Sequence, residues 1–468
     1  MWGVGRWPGR AAAWGCLCAL AIVLAPSAAS AQAWWDSYQH GPREVEDGRP
    51  NISIAPSLPD QGDPGGYRKW LGEHGFVYGL EYTNDVLSNV HGGTKTGTIY
   101  QGKVQGIVTI DFGKLAGWDG LQFFANAFQI HNTGRFRRDY IGGINTIAAI
   151  EALSTTRLSE VWFEQSFANN KASLKVGQLT ADSEFFYSNL SQIFLQSDWP
   201  TIAAVNLPSG GAAYPLSTPG VRLQVSPLKD VWFRVAVLNG DPAGPGLGDA
   251  ETRNRFGVNF RVNDPPFVIA ETEIQRNYGP KDPGLASRVI LGGWTHTGTF
   301  DDKRFATDGM LLASPTSAGM PLQHRGNFGL YAVIDQQLYR PKDGDTQSGI
   351  SVFSRMSLSP SDRNLVDRYI DGGIVFANLI PARPKDRFGA SIIYSKFSNS
   401  IRGFDEDKVL LTGIPGPIQD FETNLELTYV AEIVPGWTVQ PDLQFVWHPN
   451  GDSTKNATVI GFRSLIRY

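Results

Sequence analysis

Residues 456–468 read as a period-two strand that runs to an aromatic end. Ile460, Phe462, Ile466 and Tyr468 share one face, while Gly461, Arg463 and Arg467 share the other. A strand that is apolar on one face to its final residue needs an apolar surface along its whole length. In a membrane, where every backbone polar group must be bonded internally, strands cross only as a closed barrel, which is apolar toward lipid and polar toward its lumen. A strand that closes such a barrel has this pattern.

The same alternation recurs upstream. From Gly75 onward, runs of roughly 10 residues alternate between clusters of Gly, Pro, Asn and Asp. Phe76, Tyr78, Leu80 and Tyr82 alternate with Val77, Gly79, Glu81 and Thr83. Val104, Val108, Ile110 and Phe112 alternate with Lys103, Gln105, Thr109 and Asp111. Val221, Leu223 and Val225 flank Arg222 and Gln224; Phe256, Val258, Phe260 and Val262 flank Arg255, Asn259 and Arg261; Leu425, Leu427 and Tyr429 flank Glu426 and Thr428. Short connections (Asn169-Asn170, Pro227-Leu228-Lys229-Asp230, Asn263-Asp264-Pro265, Pro435-Gly436) mix with long ones (132–156, 180–219, 398–421). That is the pattern of tight periplasmic turns and long outer loops.

About 17 candidate strands result, whereas a single-chain bacterial barrel has an even number. The conflict lies between Arg261 and Arg325, where the Asn263 turn and the long connection 299–326 do not fit one up-and-down order. The expected fold is all-β: a transmembrane antiparallel up-and-down β-barrel of 16 strands, with 18 in reserve. Trp118, Trp232, Trp294, Trp437 and Trp447 fall near strand ends, where a membrane barrel carries its interface girdles. A soluble β-sandwich has no reason to place them there.

At the other end, Arg6 and Arg10 precede an apolar run (11–25) and the small residues Ala29-Ser30-Ala31. Residues 1–31 therefore read as a secretory signal peptide, with a cut after Ala33 as an alternative. The apolar run is too short for a spanning helix, which needs roughly 20 residues. Both cysteines, Cys16 and Cys18, lie within it, so the exported chain has no thiol. Residues 32–75 are polar and rich in Pro and Gly, with Tyr67 to Leu71 as a single helical turn. They read as a short N-terminal periplasmic segment, and 76–468 as the barrel, in the outer membrane of a Gram-negative bacterium. The formal net charge of -4 comes without long like-charge blocks, so no nucleic-acid partner is expected. A mean hydropathy of -0.20 suits a barrel, in which only alternate residues need be apolar.

Fragments that imitate catalytic signatures have simpler readings. Gly92-Gly93-Thr94-Lys95-Thr96-Gly97 lacks P-loop spacing, Gly451-Asp452-Ser453 is the tip of the last hairpin, and Asp343-Gly344-Asp345 lacks the later ligands of a calcium loop. The seven histidines show no metal-ligand spacing. No enzyme activity, cofactor or metal is expected.

Function should lie on the lumen face. The candidate lining is Glu81, Lys103, Glu160, Trp162, Glu164, Arg222, Arg234, Arg255, Arg261, Glu273, Arg355, Glu426, Asp442 and Arg463. Carboxylates and guanidinium groups can bond hydroxyls, and an indole can lie on the apolar face of a sugar ring. A lining of both signs suits a neutral polyhydroxylated solute, unless the charges only pair with one another. Residues 180–219 carry Phe185, Phe186, Tyr187, Phe194 and Trp199 and are too apolar to lie free in water, so they are expected to fold into the lumen and form the constriction. Glu160, Trp162, Glu164 and Arg222 are expected to meet near its narrowest point.

Several segments resemble the carbohydrate-selective porins of the OprB type. They are Gly79-Leu80-Glu81-Tyr82-Thr83-Asn84-Asp85 with Gly92-Gly93, Arg157-Leu158-Ser159-Glu160-Val161-Trp162-Phe163-Glu164-Gln165, and Val176-Gly177-Gln178 with Asp182-Ser183-Glu184-Phe185. Asp335-Gln336, Ser359-Pro360-Ser361-Asp362-Arg363-Asn364, Arg383-Pro384-Lys385-Asp386 and Gln440-Pro441-Asp442-Leu443-Gln444 with His448-Pro449 are similar to further family landmarks. Ser159 departs from the aromatic residue expected beside the glutamate. The resemblance implies a 16-stranded barrel that lets monosaccharide-type sugars diffuse inward past infolded outer loops. Other small organic solutes, such as organic acids, are the alternative, and a barrel enzyme or adhesin a more remote one. The implied partners are the sugars, outer-membrane lipid and, through the C-terminal strand, the barrel-assembly machinery; monomer and homotrimer both stay open.

Overall fold

The computed structural model describes residues 53–279, 282–342 and 344–468. The signal peptide and residues 32–52 lie outside them. Among the described residues the strands are β1 (Phe76–Gly92), β2 (Gly97–Asp111), β3 (Leu121–Asn132), β4 (Thr155–Phe167), β5 (Ala172–Leu179), β6 (Thr218–Leu228), β7 (Val231–Asn239) and β8 (Pro266–Arg276). They continue as β9 (Ser287–Ala306), β10 (Pro321–Tyr339), β11 (Gly349–Leu358), β12 (Val366–Ala377), β13 (Arg387–Phe397), β14 (Phe421–Val434), β15 (Trp437–Trp447) and β16 (Asn456–Arg467). Each pairs antiparallel with its sequence neighbours, and β1 closes the barrel on β16, from Glu81 opposite Arg467 to Gly92 opposite Ala457. The alternation read from sequence holds at this seam. Phe462 and Ile460 are exposed outside, while Arg463 and Arg467 point inward to Asp85 and Glu81.

The excess strand in the count of 17 is the run Phe256 to Val262. It has the period of a strand but lies in the 240–265 connection between β7 and β8, and Asn263-Asp264-Pro265 is the end of that connection, not a periplasmic turn. Two features of the sequence explain why no strand forms. Gly257 has a positive φ of 69°, and a Cβ there would sit 1.8 Å from the Leu158 carbonyl oxygen. Pro265 and Pro266 lack the N–H donors that would extend β8 outward. Arg255 and Arg261 therefore lie on an outer loop and do not line the lumen from a strand. The connection between β9 and β10 is shorter than 299–326, because those strands run 20 and 19 residues.

A second correction concerns Trp294. It is not a girdle residue: it is 3 % exposed, in mid-strand, on the inward face against Phe267. Trp447 is exposed at the end of β15, and Trp118 in the turn that leads into β3.

Before the barrel, short turns lead into helix α1 (Tyr67–Glu73), whose first-turn N–H groups of Arg68 and Lys69 donate to the Asp63 carboxylate. This segment covers the closing seam. The Arg68 guanidinium lies between the Tyr78 and Tyr468 rings (4.8 and 4.5 Å) and donates to the Tyr78 carbonyl. The Tyr468 hydroxyl donates to the Gly62 carbonyl at 2.5 Å, and Ile54 N to Arg467 O at 2.7 Å. Tyr468, expected to face lipid, is thus half-buried beneath the N-terminal segment.

Candidate functional site

The lumen is not an empty cylinder. Residues 180–217 leave the outer end of β5, turn inward and seat against the inner faces of β8 to β14. Their aromatic residues supply the apolar contacts: Phe186 stacks on Tyr331 (4.2 Å, 15°), Phe194 packs on Phe353, and Trp199 meets Phe267 edge-on. Backbone groups that a buried loop would leave unsatisfied find partners on inward side chains of the wall. Phe186 N donates to Glu271 Oε2 (3.1 Å), Asn189 N to Asp335 Oδ2 (3.0 Å), and Leu195 N and Gln196 N to the two oxygens of Glu426 (2.7 and 2.9 Å). Arg288 Nη1 donates to the Tyr187 carbonyl (2.8 Å), and Arg355 Nη1 to the Asp198 carbonyl (3.0 Å).

A second outer loop, residues 133–154, also folds inward, where Phe136, Ile141, Ile147 and Ala148 are buried in a cluster with Leu195, Val446 and Val459. It crosses to β14, where Ile144 N and Asn145 N donate to the Glu422 carboxylate at 2.8 and 2.7 Å. Gln444 on β15 donates to the Ile147 carbonyl, and Ala149 N bonds to the Leu195 carbonyl, so the two loops brace each other.

This arrangement divides the candidate lining residues. One group is sealed between wall and loop. Arg222 bonds Glu184 (Nε to Oε2, 2.6 Å) and Glu164 (Nη2 to Oε1, 3.0 Å), and Lys175 pairs with Glu184 as well. Burial alone would raise the Glu184 pKa, but Arg222 and Lys175 outweigh it and bring the carboxyl down to about 2. Arg234 bridges Glu271 and Glu273 (2.6 and 2.7 Å), Arg288 joins Glu273 to Asp335, and Arg355 pairs with Asp371. Charges this deep must be paired, and here the pairs also hold the loop. Trp162 belongs to the same group. It is 2 % exposed, stacked on Phe124 (4.9 Å, 15°) with Lys175 Nζ 4.0 Å from its ring, and offers no open face. Glu426 and Asp442 are buried too, on the seat of residues 195 and 196.

The other group remains partly exposed on the inward side of β1, β2, β4 and β16: Glu81, Lys103, Glu160, Arg463 and Arg467. Lys103 Nζ lies over the rings of Phe128 and Tyr214 (5.0 and 5.3 Å) and interacts electrostatically with Glu81, Asp182 and Arg463. A bulge at Ala125 and Ala127, where Asn126 Oδ1 accepts from Glu160 N, re-aims β4 so that Ser159 and Glu160 both serve the interior. Glu160 then receives Thr180 N at 3.2 Å. The loop contributes half-buried Asp182, Asp198 and Tyr214 opposite this wall. Burial raises the Asp182 pKa, and burial followed by repulsion from Asp182 pushes Asp198 up to about 7. Sequence reasoning missed these three, because only the folded loop brings them to the rim. Asp182 was visible as a landmark without a role.

Wall and loop together thus leave Glu81, Lys103, Glu160, Arg463, Asp182, Asp198 and Tyr214 partly exposed, groups of both signs. The chain's relatives fit this geometry. It is 26% identical over 429 residues to "Porin B" of Pseudomonas aeruginosa, covering 86% of this chain and 89% of that protein. It is 22% identical to "Putative porin QuiX" of Acinetobacter baylyi, covering 83% and 88%. The high-pH structure of Pseudomonas putida OprB superposes with a TM-score of 0.76 at 22% identity, covering 87% of this chain and 98% of that one, and shows the same barrel fold. The family model described as "Carbohydrate-selective porin, OprB family" matches residues 95–468, so the chain belongs to that outer-membrane porin family.

Proposed function

We propose that this porin passes monosaccharide-type sugars by passive diffusion through a gap beside loop 180–217, with Lys103, Glu160, Asp182, Asp198, Tyr214 and Arg463 as the hydrogen-bonding rim. The observation that carries this reading is the pairing of signs. Arg463 is held by Asp85 (2.7 and 3.0 Å) and Arg467 by Glu81 (2.8 Å), so these guanidinium groups are neutralised and present no net positive field to an anion. Such a rim exchanges hydrogen bonds with neutral hydroxyls and offers no unpaired guanidinium to an organic acid, the runner-up solute. Each exchanged bond contributes on the order of 1 kcal/mol. Binding is therefore weak, as a pore that must release its solute requires.

Liposome swelling with the purified porin tests this against the runner-up. A neutral hexose should enter faster than the hexonate anion of equal size. Equal or faster entry of the anion would transfer the assignment to organic acids.

A further inference from the structure

The barrel wall is uneven at its outer rim. β5 ends at Leu179, opposite Thr218 of β6, and β7 ends at Asn239, opposite Pro266 of β8. On either side the wall stands higher. β4 continues six residues outward past its last β5 partner, Val161, from Glu160 to Thr155. β9 continues from His296, its last β8 partner, to Ala306. Between them lies a notch. β5 has eight residues, which at ~3.3 Å each and a tilt of ~40° give about 20 Å of height against an apolar band of about 25 Å. The deficit of ~5 Å equals one inter-strand spacing.

Residues 254–262, which include the run Phe256 to Val262 with its strand-like period, lie in this notch. Their backbone is tied to the bare upper edge of β4 and to the end of β5. Leu158 N donates to Phe256 O (3.0 Å), Thr155 Oγ1 to Arg255 O (3.1 Å), Arg157 Nη2 to Asn254 O (3.1 Å) and Gln178 Nε2 to Gly257 O (2.8 Å). The far end is fixed beside β7, where Asp264 N donates to Asn239 Oδ1 and Asn239 Nδ2 to Asp264 Oδ2. The inner side of the segment thus uses its polar groups, while Phe256, Val258, Phe260 and Val262 stand 53–76 % exposed, 60, 57, 53 and 76 % in turn. Four such side chains on an outer loop in water would form a costly patch. They continue the exposed apolar face of the short strands below: Val176 on β5, Val221 and Leu223 on β6, and Phe233 and Val237 on β7.

We infer that residues 254–262 are a docking surface for the acyl chains of the membrane's outer leaflet, completing the apolar band where the wall is too short. The segment spans the gap without a β-ladder on its outer side, because its side chains need lipid contact and its backbone is already bonded to β4 and β5. Its period-two apolar pattern follows from the same one-sided exposure that shapes a membrane strand.

The exported chain has no cysteine, so single nitroxide labels report each position cleanly. Val258→Cys and Phe260→Cys, labelled in phospholipid vesicles, should show an oxygen-to-nickel-chelate accessibility ratio within twofold of Val176→Cys on β5. The ratio should be at least fivefold above Leu410→Cys, which is highly exposed in an outer-loop helix. Nickel-chelate access equal to that at Leu410 would place the segment in water and overturn the inference. Protection from both agents with spin–spin broadening would also overturn it, by making the surface a contact between copies of this chain. Retention of the heat-shifted folded band establishes that each labelled variant is a barrel, and agreement is required at both positions.

Discussion

Asp335 on β10 tests whether loop 180–217 is held by specific wall groups. Its carboxylate accepts from buried Ser188 Oγ at 2.5 Å and from half-buried Asn189 N at 3.0 Å, and lies 3.4 Å from Arg288 Nη1. Arg288 keeps Glu273 and the Tyr187 carbonyl when Asp335 is removed. The substitution therefore removes two charge-assisted bonds from the loop and leaves the ladder of β10 intact. At roughly 1.5–3 kcal/mol per bond, Asp335→Ala should weaken the local seat by about 3–6 kcal/mol. One decade in an opening equilibrium takes about 1.4 kcal/mol, so the amides of Phe186, Asn189 and Ser191 should exchange hydrogen roughly two to four decades faster. Asp335→Asn, which retains one acceptor oxygen, should fall between. Hydrogen exchange by mass spectrometry in detergent reads this directly, and single-channel records should show excursions to higher conductance. Unchanged exchange in the 186–191 segment, together with a lower barrel melting temperature, would refute the anchoring role.

Asp198 supplies a pH dependence. Its pKa, pushed up to about 7, lies above the ordinary carboxyl value of about 4, so the folded rim holds an extra proton between those limits. Loop seating is strongest below about pH 4 and weakens as pH rises through 7. Reversal potentials in a salt gradient should move toward cation selectivity from pH 5.5 to 8, and Asp198→Asn should reduce that shift; an unaltered shift would count against it. Arg68→Ala removes a desolvated cation from between the Tyr78 and Tyr468 rings, worth about 2 kcal/mol. The folded band should then convert to the unfolded one several degrees lower, with conductance unchanged. Trp162→Ala should cost about 3–5 kcal/mol of barrel stability, because Trp162 is buried on Phe124. Loss of sugar passage at full thermal stability would show instead that Trp162 touches the solute.

The fold was legible because a membrane strand must carry its environment in its alternation, and strands such as β1, β2 and β16 do so residue by residue. The run Phe256 to Val262 carries the same signature without strand pairing, since period two reports one-sided exposure and is silent about ladder bonds. The candidate site was legible only in part. Alternation placed Trp162, Glu164, Arg222 and Arg355 on the inward face, but whether the space before them is water or protein depends on where a loop lands. Phe186 and Trp199 marked loop 180–217 as infolded through their apolarity. Loop 133–154 carried the same sign in Phe136, Ile141 and Ile147, which are buried, but its landing place was not legible, because it is set by bonds from Ile144 N and Asn145 N to Glu422, 278 and 277 residues further along the chain.

The most direct measurement is the block of ion current by a neutral hexose in planar bilayers, comparing the native chain with Glu160→Gln and Lys103→Gln. The expected result is a saturable decrease of current in the native porin, weakened several-fold in both variants, with small-ion conductance nearly intact. A block unchanged in both variants, or a native current that responds to the hexonate anion and not to the hexose, would contradict sugar recognition at this rim.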